Sequence, residues 1–349
     1  MKTQSSTQDA VAIATDIMRH KTGVVIPICF PEGTDIHCGE GLLTDNVRSY
    51  GEQVTDSTTL CLSVDGEASG SDMASHIAAK FGASICVGSV NRGKLHAASN
   101  GVRVLLNNTD LEYIAVVDQD GDHFANELLN FVRAAQHIVG QTGVHRVMIP
   151  GRRISRHRPL GFLRGELEEL ADRVLLDALL YNAAVTDRPL PLEYAVAWDE
   201  FPDFHSGYKL FSRSIAEEVF LGEPQLAGVP DMCYYRHACE AVMVVEALEH
   251  GAYLGIVNRS TLNEQPISTF GLLDRSQLVA DKIIWPCKRL NIPWPFIKQW
   301  MANHMARLLL NTLAPDSREE LAEIGRLVRG AFSDEQGGDI EPILQPLFV

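Results

Sequence analysis

The chain has 349 residues, of which 45 are acidic and 30 are basic, and its formal net charge is −15. This length fits one large α/β domain with additions, or one domain that carries a helical extension. The negative charge repels phosphate backbones and argues against nucleic acid as a partner.

The cysteines and the N-terminal segment indicate the compartment. Seven cysteines are an odd number, they form no CxxC pair, and several lie in apolar runs where a thiol behaves as a small hydrophobe. The N-terminal residues lack the apolar segment of a signal peptide, and no run approaches the roughly 18 apolar residues of a membrane span. We therefore expect a cytoplasmic protein without a transmembrane segment, and a homo-oligomer remains possible.

The first 120 residues alternate between two patterns. Apolar runs rich in β-branched residues lie at 23–30, 58–66, 83–90 and 113–120. Helix-like segments lie between them at 44–54, 71–82 and 93–106. Because parallel strands need a crossover connection, this alternation predicts βαβ units and a mostly parallel sheet.

The second half is less regular. A helix is predicted at 125–139, a strand at 144–150, and a long amphipathic helix beyond Leu163. The stretch 186–207 is rich in proline and aromatic residues, which is typical of a functional loop or a linker. Further on, the pattern predicts a helix at 235–250, a strand-like segment at 252–258 and helices over 271–333, with breaks at Pro286, Pro293, Pro295 and Pro315.

An acidic stretch, VVDQDGDH at 116–123, follows the apolar run YIAVV. An EF-hand is excluded because counting from Asp118 puts His123 where glycine is needed and Leu129 where the bidentate glutamate is needed. A haloacid-dehalogenase-like phosphatase, with Asp118 as the nucleophile, would match the Asp-x-Asp-Gly pattern. It stays open, although Asp122 replaces the usual threonine and four strands, rather than one, lead up to the motif.

A metal-bound nucleotide is the third interpretation of this stretch. Carboxylates two residues apart on an extended segment point to the same side, so Asp118 and Asp120 can face one ligand. Parallel sheets bind ligands beyond the carboxyl ends of their strands, where these residues fall. Mg²⁺ or Mn²⁺ held by one or two carboxylates neutralises a leaving diphosphate.

Four segments taken together resemble the GT-A glycosyltransferases, most closely the inverting family 2. They are VVIPICFPEGTD (24–35), LCLSVDGEASG (60–70), VNRGKLHAASNG (90–101) and YIAVVDQDGD (113–122). The resemblance implies a GT-A fold, which is a Rossmann-like α/β fold with a mostly parallel sheet flanked by helices, here with a C-terminal helical extension. We expect the catalytic domain of this resemblance at 20–265, and the pattern of the remaining sequence predicts an N-terminal helix or arm at 1–19, a helical extension at 266–333 and a tail at 334–349. The catalytic domain would divide into a nucleotide-binding half at 20–122 and an acceptor half at 123–265.

The resemblance assigns roles to residues of the nucleotide-binding half. The nucleotide would be bound by Pro27, Ile28, Asp65, Asn91, Gly93, Lys94 and Asp118. Lys94 would be a cation for the diphosphate. Asp120 would be the principal ligand of Mg²⁺ or Mn²⁺, with Asp118 and Asp122 beside it.

In the acceptor half, the resemblance places Gly207 and Arg213 on the acceptor side and Glu240 where the family has its general base. Glu240 lies eleven residues before Gly251, and Cys239-Glu240 replaces the family's Glu-Asp. Asp231 and Glu246 compete for the role of base. His205 and His237 could complete an acceptor or metal site. The basic run RRISRHR at 152–158 could bind phosphate, but a solvated loop is the more frequent outcome for such a run.

The predicted reaction transfers a sugar from a nucleoside diphosphate sugar to a hydroxyl acceptor, with a metal ion and with inversion. The phosphatase and a non-catalytic nucleotide-sugar-binding protein are the alternatives. A cytidylyl- or uridylyltransferase would need a basic, glycine-rich loop after the first strand, and FPEGTDIHCG at 30–39 contains no Lys or Arg.

Overall fold

The central sheet is built from the β-branched runs of the sequence. The computed structural model describes residues 7–155, 161–195, 202–261, 274–308 and 317–332, and within these ranges it contains eight strands. They are β1 (Thr22–Ile28), β2 (Leu60–Val64), β3 (Ser84–Val87), β4 (Tyr113–Val116), β5 (Val147–Arg153), β6 (Lys209–Ser212), β7 (Tyr253–Leu254) and β8 (Val257–Arg259).

The strands follow the order β3-β2-β1-β4-β6-β5-β7, and β8 pairs with β5. β6 is antiparallel to both β4 and β5, whereas the other pairs are parallel. The predicted α/β class with a mostly parallel sheet is therefore confirmed. The reversal of β6 places its first residue, Lys209, beside Val116 at the end of β4.

Helices cover both faces of the sheet. In chain order they are α1 (Thr7–Lys21), α2 (Ile36–Gly51), α3 (Ser71–Phe81), α4 (Lys94–Leu105), α5 (Leu128–Thr142), α6 (Phe162–Thr186), α7 (Arg213–Leu221), α8 (Cys239–Glu249), α9 (Arg275–Arg289), α10 (Trp294–Met305) and α11 (Ser317–Ala331). A π-helical turn, Cys233–His237, directly precedes α8.

Alternating side chains of each strand enter two separate hydrophobic cores. On β1, Val24 packs with residues of α1, α2, α3 and α5, whereas Val25 packs with residues of α4, α6, α7, α8 and the C-terminal helices. Both side chains are completely buried. Because a central parallel strand is covered on both faces, its sequence is continuously apolar, as in GVVIPI.

The C-terminal helices belong to the second of these cores. Trp285 on α9 and Trp294 on α10 are buried in the same cluster as Val25 and Val116 of the sheet. Both tryptophans are therefore core residues. Trp300 is half-buried and packs against Phe296 and Tyr181 of α6.

Two of the predicted helix breaks are wrong. α9 continues through Pro286 to Arg289, because a proline in the last turn removes only one backbone hydrogen bond while the helix buries its apolar face. Pro295 lies in the first turn of α10, where the missing N–H has no intrahelical partner to lose. Pro293 is the N-cap of that helix, in agreement with the prediction, and Pro315 lies outside the described residues.

All seven cysteines are free thiols. Among the helices of the described ranges, none is long and apolar enough to span a bilayer.

Candidate active site

The predicted site residues of the first half meet at one edge of the sheet. β1, β2, β3 and β4 are parallel, so their carboxyl ends face the same way. Asp65 comes directly after β2, the segment 91–94 follows β3, and Asp118 follows β4. The start of β6 reaches this edge as well, because that strand runs in the opposite direction.

Lys94 joins the two halves of the predicted catalytic domain. Its Nζ lies 2.6 Å from Oδ1 of Asp118 and 2.8 Å from Oε1 of Glu240. The three side chains are 24%, 31% and 13% exposed, so the cluster is shielded from bulk water without being sealed. The sequence predicted a site that contains all three residues, and the structure brings them into contact.

The charges of this cluster stabilise one another. Burial alone would lower the pKa of Lys94, but Asp118 and Glu240 hold it well above its usual value. Burial alone would raise the pKa of Asp118, but Lys94 and His123 lower it to about 2. The pKa of Glu240 is likewise held well below its usual range by Lys94 and Lys209, against the effect of burial. Glu240 is thus an ionised carboxylate whose basicity is suppressed as long as Lys94 pairs with it.

Side-chain hydrogen bonds fix the loop that carries the aspartates. Asn46 Nδ2 donates to the carbonyl oxygen of Asp118 at 2.7 Å. The amide of Gln119 pairs with Cys29 at the end of β1, accepting from its N–H at 2.9 Å and donating to its carbonyl at 2.7 Å. The backbone N–H of Asp118 donates to Nδ1 of His123 at 2.9 Å, which leaves the ring proton on Nε2, 3.6 Å from Oδ2 of Asp118.

Asp120 lies close to the charge of Asp118. It is half-buried, and burial together with the neighbouring charge of Asp118 raises its pKa to about 7. Its Oδ1 accepts from the backbone N–H of Asp122 at 3.1 Å, and among the described residues no basic side chain forms an ion pair with it. Crowded carboxylates of this kind are stabilised by a divalent ion, so Asp118 and Asp120 fit the oxygen donors that Mg²⁺ or Mn²⁺ prefers.

Asp122, the third predicted metal ligand, has a different environment. It is 2% exposed, and its Oδ2 lies 3.1 Å from Nη1 of Arg259. Over the described ranges no group of three or more His, Cys, Asp and Glu side chains is arranged to hold a metal ion. A nucleotide-bound Mg²⁺ needs only one or two protein carboxylates, because phosphate oxygens and waters complete its shell.

Asp65 shapes the turn that precedes Lys94. Its two carboxylate oxygens accept from the backbone N–H groups of Arg92, at 2.9 Å, and Gly93, at 2.8 Å. Its own N–H donates to the carbonyl of Ile28, which with Pro27 forms the buried end of β1. Asp65 therefore holds the loops after β2 and β3 together at the end of β1.

Two arginines cross between the halves in opposite directions. Arg92, after β3, lies 2.7 Å from Oδ2 of Asp231 and covers the ring of Tyr235 at 4.6 Å. Arg236, in the π-helical turn, donates to the backbone carbonyl and the side-chain oxygen of Asn91. These reciprocal contacts hold the Asn91–Lys94 turn against the segment that leads to Glu240.

Gly93 and Gly207 are needed where backbones approach closely. Gly93 has φ +125°, and a Cβ there would lie 2.5 Å from the carbonyl oxygen of Tyr235. A Cβ on Gly207 would lie 2.9 Å from Cγ of Asp118 and 3.0 Å from Cε1 of His123. Gly207, predicted on the acceptor side, thus packs directly against the Asp118 carboxylate.

Arg213 is not at this site, so its predicted acceptor-side role is wrong. It follows β6, and because β6 is antiparallel to β4, Arg213 lies at the edge opposite Asp118. There its guanidinium donates to the carbonyls of Leu106, Asn108 and Leu111.

The other candidates of the predicted acceptor half have close partners of their own. Asp231 pairs with Arg92, and Glu246 pairs with Arg289 at 2.7 Å. His205 Nδ1 lies 2.7 Å from Asp172 and His237 Nδ1 lies 2.6 Å from Asp281, each with a buried Nε2 that has no hydrogen-bond partner. Neither Asp231 nor Glu246 shares the contact with Lys94 that Glu240 makes.

The basic run 152–158 is not simply a solvated loop. Arg153 is buried and makes a bidentate contact with Asp203, at 2.7 and 2.6 Å, and an ion pair with Glu168 at 2.8 Å. Lys282 of α9 adds a contact of 3.4 Å to the same Glu168. Arg156, His157 and Arg158 lie outside the described residues.

Sequence reasoning missed several residues that shape the site. They are Asn46, His123, Lys209, Arg259 and Lys282. Lys209 and Arg259 carry a signal, because a charged residue inside or at the end of an apolar strand must have a buried partner or a function. Asn46 and Lys282 lie on helices whose pattern shows nothing unusual.

No family model matches the chain, and no curated protein matches it significantly. Solved structures with a related chain path include a mycobacterial protein with 18% identity, covering 81% of this chain and 79% of its own, at a TM-score of 0.45. Another is 4-diphosphocytidyl-2C-methyl-D-erythritol synthase from Anaerococcus prevotii, with 10% identity, 77% and 97% coverage and a TM-score of 0.40. A third is residues 1–349 of TarS from S. aureus, with 10% identity, 90% and 92% coverage and a TM-score of 0.41. All three TM-scores lie below 0.5, so function has to be inferred from the site itself.

Proposed function

We propose that the protein is a GT-A-like glycosyltransferase of the inverting, family 2 type, which moves a sugar from a nucleoside diphosphate sugar to a hydroxyl acceptor. The observation that carries the proposal is the double contact of Lys94 with Asp118 and Glu240. A cation for the diphosphate, a carboxylate for a metal ion and a carboxylate for the acceptor proton are the groups that this reaction needs, and here they are neighbours.

The donor would lie along the carboxyl edge of β1 to β4. Pro27 and Ile28 end β1 beneath the base and ribose, and Asp65, Asn91 and Gly93 form the turn that presents Lys94. Asp120 and Asp118 would hold Mg²⁺ or Mn²⁺, which supplies Lewis-acid stabilisation of the leaving diphosphate when bound. Lys94 adds a positive charge on the protein side.

In the reaction, the bond between the anomeric carbon and the diphosphate oxygen breaks, and its electron pair leaves with the diphosphate. The acceptor oxygen bonds to the opposite face of the anomeric carbon, and its proton passes to Glu240. Glu240 becomes a competent base only when its ion pair with Lys94 is loosened, and the arriving diphosphate competes for that lysine. Binding of the donor would thereby prepare the base.

A phosphatase with Asp118 as the nucleophile is the weaker proposal. Oδ1 of Asp118 is paired with Lys94, and the carboxylate is packed against Gly207. Absence of hydrolysis of a generic phosphate ester by the native protein would remove this alternative. A non-catalytic binding protein would bind the donor yet show neither transfer nor slow donor hydrolysis.

The decisive experiment is a thermal-shift screen of nucleoside diphosphates with and without Mn²⁺. A ligand that binds the native state raises the melting temperature by mass action. We expect a shift that requires both components and that is lost in Asp120→Asn. Asp16→Asn, an exposed change on α1, is the matched control and should respond like the native protein.

No shift with any nucleoside diphosphate would contradict the proposal. A shift that is independent of Mn²⁺ and unchanged in Asp120→Asn would retain nucleotide binding and remove the metal ion from the mechanism.

A further inference from the structure

Arg259 is a buried arginine that reaches two of the loops around the candidate site. It is 2% exposed and ends β8, which lies beside β5. Its Nη1 donates at 3.1 Å to both the carbonyl oxygen and Oδ2 of Asp122. Its Nε donates at 3.2 Å to Oγ of Ser206. One guanidinium therefore ties the aspartate loop after β4 to the turn that precedes β6.

The turn held by Arg259 presses on the Asp118 carboxylate. Ser206 is followed by Gly207, whose close approach to Asp118 leaves no room for a side chain. The carbonyl of Ser206 also accepts from the buried Nζ of Lys209. A shift of Ser206 would therefore displace Gly207 against the carboxylate beside Lys94.

The chemistry of the pair explains why arginine is used. A guanidinium offers several donors in a fixed plane, whereas lysine offers a point charge, so lysine cannot reach Asp122 and Ser206 with the same geometry. A buried ion pair contributes little net stability after desolvation, and holding a unique arrangement is the better-supported reason to keep one.

We propose that Arg259 and Asp122 form a positioning pair, which fixes Asp118 and Asp120 for cation and diphosphate binding, and that Asp122 is not itself a metal ligand. This inference rests on the proposed function. Asp122, predicted as the third metal ligand, thereby becomes a residue that holds the aspartate loop in place. Arg259, which would touch neither substrate nor metal, becomes its partner in that role.

The test compares Asp120→Asn, Asp122→Asn and Arg259→Lys in the full chain, with Arg152→Lys as control. Arg152 lies at the same sheet edge and contacts Asn258, so it reports the effect of an Arg-to-Lys change without the bridge. Isothermal titration calorimetry measures binding of Mn²⁺ together with UDP and GDP, and circular dichroism and the melting temperature establish that each variant is folded.

We expect Asp120→Asn to lose Mn²⁺-dependent binding. Asp122→Asn should keep it within a few-fold, because an amide oxygen still accepts from Arg259. Arg259→Lys should weaken it about tenfold, in the range observed when partners of metal ligands are changed. A variant that combines Asp122→Asn with Arg259→Lys should bind Mn²⁺ and nucleotide no more weakly than Arg259→Lys alone, since both changes act on one bridge.

Loss of Mn²⁺ binding in Asp122→Asn to the same degree as in Asp120→Asn would overturn the inference, as would native affinity in a folded Arg259→Lys. If Arg259→Lys does not fold, Ser206→Ala removes one arm of the bridge, and native affinity in that variant would contradict the proposal. A native protein that binds neither nucleotide would instead remove the proposed function, which separates the two failures.

Discussion

Single residues determine how the charges of the site are balanced, and Lys94 is central among them. Its contacts with Asp118 and Glu240 keep two neighbouring carboxylates ionised in a partly dehydrated environment. Removing the lysine leaves two like charges that must either repel each other or take up a proton. The effect of removing the lysine on stability therefore depends on pH.

Lys94→Met should lower the free energy of unfolding at pH 7 by about 2 kcal/mol, because a shielded ion pair is broken from one side. The pKa of Asp118 is lowered to about 2, so its contribution is present above its ordinary pKa and is lost as the pH falls towards 2. The variant should lack most of this acid-induced loss. Urea unfolding at pH 7, 4 and 3 measures both effects.

The control for this change is Lys80→Met on the exposed side of α3, which should alter neither the stability at pH 7 nor the acid response. Equal acid sensitivity of Lys94→Met and the native protein would show that the contact does not determine the ionisation of Asp118.

Lys209 is a buried charge at the start of β6. Burial lowers its pKa to about 8, and Glu240 opposes that effect only in part. An unfolded lysine keeps its proton to a higher pH, so between about pH 8 and 10.5 the unfolded state holds more protons and the native state gains stability as the pH rises. Below pH 8 the native protein bears the full cost of a buried cation.

Lys209→Met should therefore be more stable than the native protein at pH 7. The advantage should shrink between pH 8 and 10, by on the order of 3 kcal/mol if the whole shift is expressed. Denaturant unfolding of both proteins across this pH range measures the difference between their free energies of unfolding. The ionisation of groups that both proteins share cancels in this difference. A difference that is constant with pH would mean that Lys209 does not change its protonation there.

At the scale of elements, the site depends on how the start of α4 packs on the π-helical turn before α8. Gly93 has φ +125° and lies against the backbone of Tyr235 and the side chain of Arg236, so the two segments are in direct contact. The π-helical turn in turn sets the distance from this contact to Glu240. Single-turn π-helices of this kind are frequent at functional sites.

Gly93→Ala should destabilise the protein by more than 2 kcal/mol, because a Cβ is disfavoured both by the backbone angle and by the Tyr235 carbonyl. Gly140→Ala is the matched control: it lies within α5 with open space around it, and alanine there should be neutral or stabilising by about 0.5 kcal/mol. Melting temperatures compare the two. Similar melting temperatures for the two variants would mean that the surrounding structure accommodates a Cβ at position 93 without a loss of stability.

The strands were predictable where both faces are buried, as in β1, because a continuous β-branched run is typical of a strand covered on both faces. The direction of β6 was not predictable, since a short strand after an irregular segment can pair either way. That one direction decides that Lys209 enters the site and that Arg213 lies at the opposite edge. The breaks expected at Pro286 and Pro295 failed because the position of a proline within a helical turn determines its effect.

Site residues were predictable from sequence where they follow strands, as Asp65, Asp118 and Lys94 do. Glu240 could be placed only through its position before Gly251, and its contact with Lys94 is a property of the folded chain. The position of Arg259 at the end of an apolar strand indicates a buried partner, but the partners themselves could not be identified, because they are 137 and 53 residues away. Residues that are so far apart in the chain show no spacing pattern by which the sequence could identify them as partners.

For the molecule as a whole, the C-terminal helices are part of the α/β core. Trp285 is completely buried, and its Nε1 donates to the carbonyl of Gln225 at 2.9 Å. On the same helix, Asp281 holds His237 of the π-helical turn, and Lys282 contacts Glu168. These contacts join the C-terminal helices to the π-helical turn and to α6.

Trp285→Ala should lower the free energy of unfolding by about 3 to 5 kcal/mol, since it leaves a large cavity in the shared core. Trp300→Ala, a change of the same size at a half-buried position, should cost much less. Guanidinium unfolding monitored by far-ultraviolet circular dichroism compares them. Equal costs would indicate that the extension is held to the sheet only loosely.

The reciprocal contacts of Arg92 and Arg236 limit how the two segments beside Lys94 can separate. Arg92 pairs with Asp231, and Arg236 donates to Asn91. Separating the Asn91–Lys94 turn from the segment that leads to Glu240 would therefore break the contacts of both guanidinium groups at once. In the proposed function, the donor would therefore have to reach Lys94 along the carboxyl ends of β1 to β4, without separating these two segments.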